Sequence, residues 1–482
     1  MSEAPPPDDV LSVFDALEAA SVHYLVWKDV QEVDLFEAGD AELDLLVPSA
    51  DRERFSEVAR EHGFAEYRNL VDLYEGHITH YIRFHAGKHY HLHVHDSLLT
   101  GDHVAKEYCL DDLLGERPGG VMHGRIRTVS PEDELLIGLC RLALKSAAVD
   151  GIKAEELQRL RSIHTPALFD AAAERLRMSL SVLPEELEAL RALVEGREQE
   201  AAVIAGIAER FDPWRRMSRP RVRSTRVAER ALRAASRLLG LSNKTLRARA
   251  PSISIVGVDG SGKSTLAERL HAIVDKKTSC RYVYLGGNTK TYGVASWSAR
   301  MLWGASAVSR RALGGAAGTS DLYYVLQALF EYSKCRDRVR RIDRANRFAR
   351  RGVIHVFERY PMKGLFDYPF LADELERGAV QMGAPAKAIV TRLLARIDAE
   401  LGRAGRPDII VLVDTPFDVI ASRRELDEPE TRDIQKKLDL LHRYGDRGAE
   451  AGIFVLDNRG SLDESIATIC EVLNGELCSS SS

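Results

Sequence analysis

The sequence predicts an α/β chain. Its C-terminal half reads as a parallel sheet with helices on both faces, preceded by an α+β module and a helical connector. Three observations carry this. From Ser252 onward, short apolar runs (SISIVGV, RYVYLGG, GVIHVFER, DIIVLVD, IFVLD) alternate with helical patterns, the rhythm of strands joined by crossover helices. Residues 9–100 mix helix-period and strand-period pieces without that rhythm. Between the halves lies a strongly basic stretch. From Arg210 to Ala250 there are 13 Arg or Lys against 2 Asp or Glu, a balance of +11 in a chain whose net charge is −5.

A chain of 482 residues accommodates two to four domains at about 100–200 residues each. The reading divides it into an α+β module (1–145), a helical extension (146–210), a basic connector (211–250), the α/β domain (251–475) and a tail (476–482). Hydrophobic residues make up 45%, the composition of a packed protein. The net charge makes no global case for nucleic acid. Six scattered cysteines (Cys109, Cys140, Cys280, Cys335, Cys470, Cys478), with no C-x-x-C pair, fit a reducing, cytoplasmic compartment better than a disulfide framework or a structural zinc site. MSEAPPPDD lacks a signal-peptide pattern. No apolar run approaches the roughly 18–20 residues of a bilayer span, so no integral membrane segment is expected.

In the first module, DVLSVFDALEAA and RERFSEVAREHGF read as amphipathic helices, VHYLVW and AELDLLVP as strands, and ITHYIRFHA with HYHLHVHD as a hairpin. SPEDELLIGLCRLALKS opens a helical region with Ser at the N-cap, Pro at N1 and acids in the first turn. In the connector, STRVAERALRAASRLLGL reads as a helix with Val227, Ala231, Leu232, Leu238 and Leu239 among its apolar residues. Two roles stay open for it: a linker helix packed on a neighbouring domain, or a surface that meets anionic lipid or an acidic partner. Nucleic acid is the weaker third, since aromatic platforms are scarce.

The sharpest signal is GVDGSGKST. Gly257, Gly262, Lys263 and Ser264 fill G-x-x-x-x-G-K-[ST] between a predicted strand and a predicted helix, which is the context the motif requires. Its glycines, Gly260 included, let the backbone curl so that the N–H groups of residues such as Ser261 and Thr265 point at phosphate oxygens. The helix N-terminus adds its dipole. Lys263 is expected at the terminal phosphates of ATP and Ser264 on Mg²⁺. Asp259 is out of place by charge, an acid inside a loop built for anions.

The domain that carries this loop resembles thymidylate kinase and its relatives among nucleoside monophosphate kinases. The resemblance covers most of 251–475 and rests on four matches in order: the acid at Asp259, the triplet Glu358-Arg359-Tyr360, the Arg-rich helix EYSKCRDRVRRIDRANRFARRG, and PDIIVLVDTPFDVIASRR with the lid-like stretch after it. It implies that Asp259 contacts the acceptor's sugar hydroxyl and that Glu358 sits near Mg²⁺. It implies that Arg359, Tyr360 and Arg338 (or Arg336) hold the acceptor. One or more of Arg423, Arg424 and Arg432 would cover the donor phosphates, acting with Lys263, Glu358 and Arg359 in transfer. Two departures bear on the acceptor. PMKGLFDYPF replaces the family's thymine-holding segment, and Val256 stands where the family often has Glu. The acceptor is therefore expected to be a nucleoside monophosphate or a related phosphorylated small molecule.

In the first module, Glu42 and Asp44 stand two apart on a predicted strand and share a face, the spacing of a second divalent-metal site. Residues 10–145 resemble the uncharacterised nucleotidyltransferase-like family. No Gly-Ser precedes the acidic pair, however, and His91-Leu92-His93 stands where the third acid belongs. His89, His91, His93 and His95 alternate on one strand face. Three readings are open: two share a metal, the imidazoles line a half-exposed face, or they pair with Glu42 and Asp44. The leading expectation is an ATP- and Mg²⁺-dependent kinase with a degenerate, binding or regulatory first module. The alternatives are a nucleotide-dependent regulatory or scaffold protein, and a bifunctional nucleotidyltransferase-kinase. A homodimer is a candidate assembly.

Overall fold

The computed structural model describes residues 9–39, 42–69, 78–101, 105–113, 120–146, 154–197, 201–239, 244–286, 293–312, 317–362, 371, 375, 380–423, 426–446 and 452–479. The chain divides into two compact units, Met1–Arg247 and Ala248–Ser482. The coarse prediction of a mixed α/β chain with a parallel sheet matches the structure.

The first unit contains α1 (Ser12–Ala19), β1 (Leu25–Lys28), α2 (Glu32–Glu37), β2 (Glu42–Leu46), α3 (Arg52–Glu61), β3 (Ala65–Asn69), β4 (Ile78–His85), β5 (Lys88–His95), β6 (Leu99–Thr100), β7 (Tyr108–Cys109), β8 (Val121–His123) and β9 (Ile126–Thr128). It continues with α4 (Pro131–Ser146), α5 (Ala154–Ile163), α6 (Pro166–Leu180), α7 (Pro184–Val194), α8 (Ala201–Arg210), α9 (Arg219–Leu239) and β10 (Lys244–Leu246). Its main sheet runs β10-β3-β4-β5-β2-β1-β9-β8. The β4–β5 hairpin is antiparallel, whereas β2 and β5 are parallel, pairing Glu42 with His91 and Asp44 with His93. Ser130 caps α4 as expected: its hydroxyl accepts from the Asp133 N–H at 3.1 Å.

Two features depart from the sequence reading. The helices after residue 146 are no appendage. Leu136, Leu139 and Cys140 of α4, Phe169 and Leu176 of α6, Leu190 of α7 and Phe211 share one core with Leu25, Trp27 and Leu46 of the sheet. The end of the basic connector is not a linker either. Thr245 pairs with Arg68, which makes β10 the edge strand of the first unit's sheet. Too short to show a period, such a strand is visible only once its partner is in place.

The second unit contains β11 (Ser252–Gly257), α10 (Lys263–Val274), β12 (Cys280–Tyr284), α11 (Val294–Ala312), α12 (Ala317–Ala349), β13 (Ile354–Glu358), α13 (Ala384–Ala404), β14 (Ile409–Asp414), α14 (Phe417–Arg423), α15 (Glu428–Asp446), β15 (Ile453–Asp457) and α16 (Leu462–Ser479). The last helix extends through Ser479, so the expected tail from residue 476 is helical over most of its length. The five strands are all parallel, in the order β12-β13-β11-β14-β15. Central β11 is buried throughout. Val256, Phe357 and Leu412 pack with Val339 and Ile342 of α12, Ile397 of α13 and Leu441 of α15. All six cysteines are free. Among the described residues, no helix is long and apolar enough to cross a membrane.

Phe211 is fully buried, edge-on to Tyr108 and Trp214. Phe211→Ala should destabilise the first unit by about 3–5 kcal/mol. Urea unfolding followed by far-UV circular dichroism measures this. A shift below about 1 kcal/mol would mean that the helices are a loosely attached layer.

Candidate functional site

The C-terminal ends of β13, β11 and β14 lie side by side. Register sets Ile255 opposite Glu358, and Gly257 opposite Val413. In open parallel sheets this edge is where ligands bind. The loop after β11 turns tightly there. Gly260 and Gly262 have φ of +89° and +86°, conformations that side chains resist. A Cβ on Gly257 would lie 2.5 Å from Ser261 Oγ and 3.1 Å from Val413 Cβ. Conformation thus requires two of the motif's glycines and crowding requires the third.

Lys263 opens α10 and is buried. Its Nζ donates to the Val258 carbonyl at 3.1 Å and to Asp259 Oδ1 at 3.2 Å. Burial, followed by the Arg359 charge, lowers its pKa against the pull of Asp259. Asp259 also accepts from the Arg359 guanidinium. Burial alone would discourage Asp259 from ionising, but Lys263 and Arg359 outweigh it and hold the carboxyl down to about 2. Asp259 therefore does not cap the loop through backbone bonds; it neutralises two cations.

Glu358, at the end of β13, is buried. It accepts the Ser264 hydroxyl at 2.7 Å and the Tyr282 hydroxyl on its other oxygen. Arg359 follows with φ +62°, a left-handed backbone that costs a bulky residue about 1–2 kcal/mol. Its N–H donates to the Ile255 carbonyl at 3.3 Å. Gly286 leaves room for it, because a Cβ there would lie 2.6 Å from Arg359 Cδ. The backbone turn and the bond to Asp259 hold the guanidinium at the loop.

Of the remaining predicted residues, Arg423 reaches the loop, its Nη1 donating to the Gly260 carbonyl at 3.2 Å. Arg432 does not: it is exposed on α15 and paired with Glu428 at 3.4 Å. Arg424 lies outside the described residues, as does most of PMKGLFDYPF. On α12, Arg338 is buried and Arg336 exposed. Between them Asp337 accepts from the Gly293 N–H at 2.8 Å and the Ser296 hydroxyl at 2.5 Å, fixing the start of α11. Ser264 and Thr265 are exposed in the first turn of α10. Tyr360 is buried against Phe357 and its hydroxyl donates to the Gly405 carbonyl at 2.8 Å.

Sequence reasoning missed the loop's floor. The Ser261 carbonyl accepts from Asn458 Nδ2 at 2.8 Å and Thr415 Oγ1 at 3.1 Å, and Ser465 donates to Asn458 Oδ1 at 2.8 Å. The available signal was positional: Thr415 and Asn458 are polar residues directly after apolar strands. The buried Ser261 hydroxyl has no hydrogen-bond partner among the described residues. A cradle with two positive-φ glycines, an orphaned hydroxyl and a lysine at its helix start fits a polyphosphate. The adjacent Ser264 and Glu358 oxygens fit a hard divalent cation.

In the first unit the expected Glu42–Asp44 metal pair does not converge, because parallel β5 sets an imidazole opposite each carboxylate. Glu42 meets His91 Nδ1 at 2.8 Å. Asp44 meets Lys28 at 2.5 Å, His93 Nδ1 at 2.9 Å and His95 Nε2 at 3.1 Å. The compact set is thus Asp44, His93 and His95, whose ligand atoms lie within 4.8 Å of one another. Burial works against ionisation of Asp44, but Lys28, His93 and His95 hold its pKa well below the usual range. An ionised carboxylate only accepts, so both imidazoles present N–H groups to it.

No protein-family model matches the chain, and no curated protein matches it. Among solved structures, a thymidylate kinase from Candida albicans matches with 16% identity over 47% of this chain and 91% of that chain, at a TM-score of 0.28. A likeness at that score carries no weight for function.

The histidines make a pH prediction. Burial pushes His91 and His95 down to about 3 from an ordinary 6.5. Their contribution to stability is complete above pH 6.5 and is lost as pH falls toward 3, because the unfolded chain takes up the protons first. Asp44 adds a further loss below its ordinary 3.8. Urea midpoints between pH 7 and 4 should fall with about two protons taken up per unfolding event. A flat profile would show that the imidazoles stay hydrated.

Proposed function

We propose that the second unit transfers a phosphoryl group from Mg²⁺-bound ATP to a nucleoside monophosphate, thymidylate-like, or to a related phosphorylated small molecule. The observation that supports this best is the paired arrangement at one sheet edge: a phosphate cradle ending in Lys263, and Arg359 held by strained backbone across from it. ATP with Mg²⁺ would supply the transferable group and part of its charge neutralisation.

The residues' work is positioning and electrostatics. The amides of residues 260–265 and Lys263 hold the donor's phosphates, and Thr415 and Asn458 keep that cradle rigid through the Ser261 carbonyl. Ser264 and Glu358 hold the metal and its waters. Arg359 presents a planar fork to the acceptor's phosphate, and buried Arg338 supports it from α12. Arg423, already on the loop, is the lid arginine the geometry favours over Arg432. Asp259 serves twice. Before binding it neutralises Lys263 and Arg359. Once phosphates replace it there, its carboxylate is released to accept a hydroxyl of the acceptor's sugar.

Acceptor-dependent ADP formation across nucleoside monophosphates and sugar phosphates tests this reading. Lys263→Ala should lower it by roughly 10²–10³-fold. Arg359→Lys keeps the charge but loses the fork, and should raise the acceptor KM about tenfold with the ATP KM little changed. Tight ATP binding with no acceptor-stimulated turnover would sink the proposal and favour a nucleotide-dependent switch.

A second reading concerns the first unit, which we propose is a non-catalytic, binding or regulatory module. Glu42 and Asp44 are each engaged by imidazole, and Lys28 holds the remaining Asp44 oxygen, so no carboxylate pair is set for two-metal chemistry. The intact chain given nucleoside triphosphates should release no pyrophosphate. Release that disappears in Asp44→Ala would overturn this.

A further inference from the structure

Helix α9 (Arg219–Leu239) is built the wrong way round for a packed helix. Among its described side chains the buried ones are Val222, Glu229 and Ser236, a narrow stripe at i, i+7 and i+14 that includes the helix's only acid. Apart from Val222, its larger aliphatic residues among the described side chains face outward: Val227 is 67% exposed, Leu232 37% and Leu238 88%. An amphipathic helix packed on its own protein shows the reverse. Val227, Ala231 and Leu238, among the residues that suggested a packed linker, are therefore not used for packing.

The outward surface is ordered. Val227, Ala231, Ala234 and Leu238 recur at i, i+4, i+7 and i+11, one strip along the helix. Arg219, Arg223, Arg226, Arg230 and Arg233 follow the same 3–4 spacing, forming a second strip between the apolar one and the buried one. With Arg221 and Arg237, the helix carries seven arginines against Glu229, a balance of +6. Glu229 is itself engaged by Arg233. The helix is 21 residues long but falls short of the apolar content of a membrane span.

We infer that α9 is a membrane-surface helix that lies on a bilayer of anionic lipid, its Val227–Leu238 strip entering the acyl boundary and its arginine row at the headgroups. An exposed aliphatic strip edged by arginines, on a helix tethered to the body by its far side, is the arrangement that an anionic bilayer satisfies on both counts. A nucleic acid would engage the arginines and leave Val227 and Leu238 in water. An acidic polypeptide would do the same unless it also brought an apolar face.

Vesicle co-sedimentation of the intact chain tests the inference. The probes are vesicles of phosphatidylcholine alone and of equal parts phosphatidylcholine and phosphatidylglycerol. Pelleting is expected with the anionic vesicles only, weakening as salt is raised. Val227→Asp combined with Leu238→Asp, both at exposed positions, should leave the far-UV spectrum and urea midpoint unchanged. It should cut partitioning at least about tenfold. Arg223→Ser with Arg230→Ser should weaken binding and flatten its salt dependence. The inference is overturned by absence of pelleting with anionic vesicles, by full binding in the aspartate variant, or by equal binding to neutral vesicles. Duplex DNA or polyglutamate binding without vesicle binding, lost only in the arginine variant, would assign the helix to those partners instead.

Discussion

One carboxylate holds the mouth of the second unit's site together. Lys263 and Arg359 approach the same point from α10 and from the end of β13, and Asp259 accepts a hydrogen bond from each. Two cations at that range repel, and burial strengthens the repulsion by removing water. The depressed acidity of Asp259 is the same fact seen from the acid's side: its ionised form is worth more here than in water, despite burial. Other local features depend on it. The left-handed Arg359 backbone needs a partner to hold it, and Gly286 is the clearance that lets the side chain reach that partner.

This constraint explains which parts of the site were legible in the sequence. The cradle was legible because its glycines are fixed by φ and crowding and its lysine by the helix start, all local properties. Glu358 and Arg359 were legible only through resemblance, since nothing within β13 says that its end faces Ser264. Thr415, Asn458 and Tyr282 were not legible, because each reaches the site by sheet register, which a single sequence does not disclose. The positive φ at Arg359 was not legible either, because no pattern of apolar residues announces such a turn.

The fold divides along the same line. Runs long enough to show a period, such as α1, α3, the β4–β5 hairpin and β11 to β15, were readable. Three-residue β10 was not, nor was the shared core of α4, α6, α7 and the sheet, because compactness among helices leaves no mark on any one of them. The histidines show how far a period goes. Alternation placed them correctly on one face of β5. Whether that face met a metal, solvent or the two acids depended on β2 lying parallel beside it, with Asp44 opposite His93.

The two units thus handle buried carboxylates in opposite ways, and the difference bears on what each can do. In the first, Asp44 is satisfied by Lys28 and by the imidazoles of His93 and His95, the second of which burial keeps neutral. Replacing those partners would strand a buried charge, so the cluster resists exchange and suits a fixed structural or sensing role. In the second, Asp259 is only partly buried and its partners are the two cations nearest the phosphate cradle. On the proposed reading, a phosphate arriving between Lys263 and Arg359 would offer those cations an equivalent anion, so the site's charge balance would survive the swap while the carboxylate turned toward solvent. That reading accounts for an acid inside an anion loop: it would preserve the loop's geometry until the ligand's own charge took over.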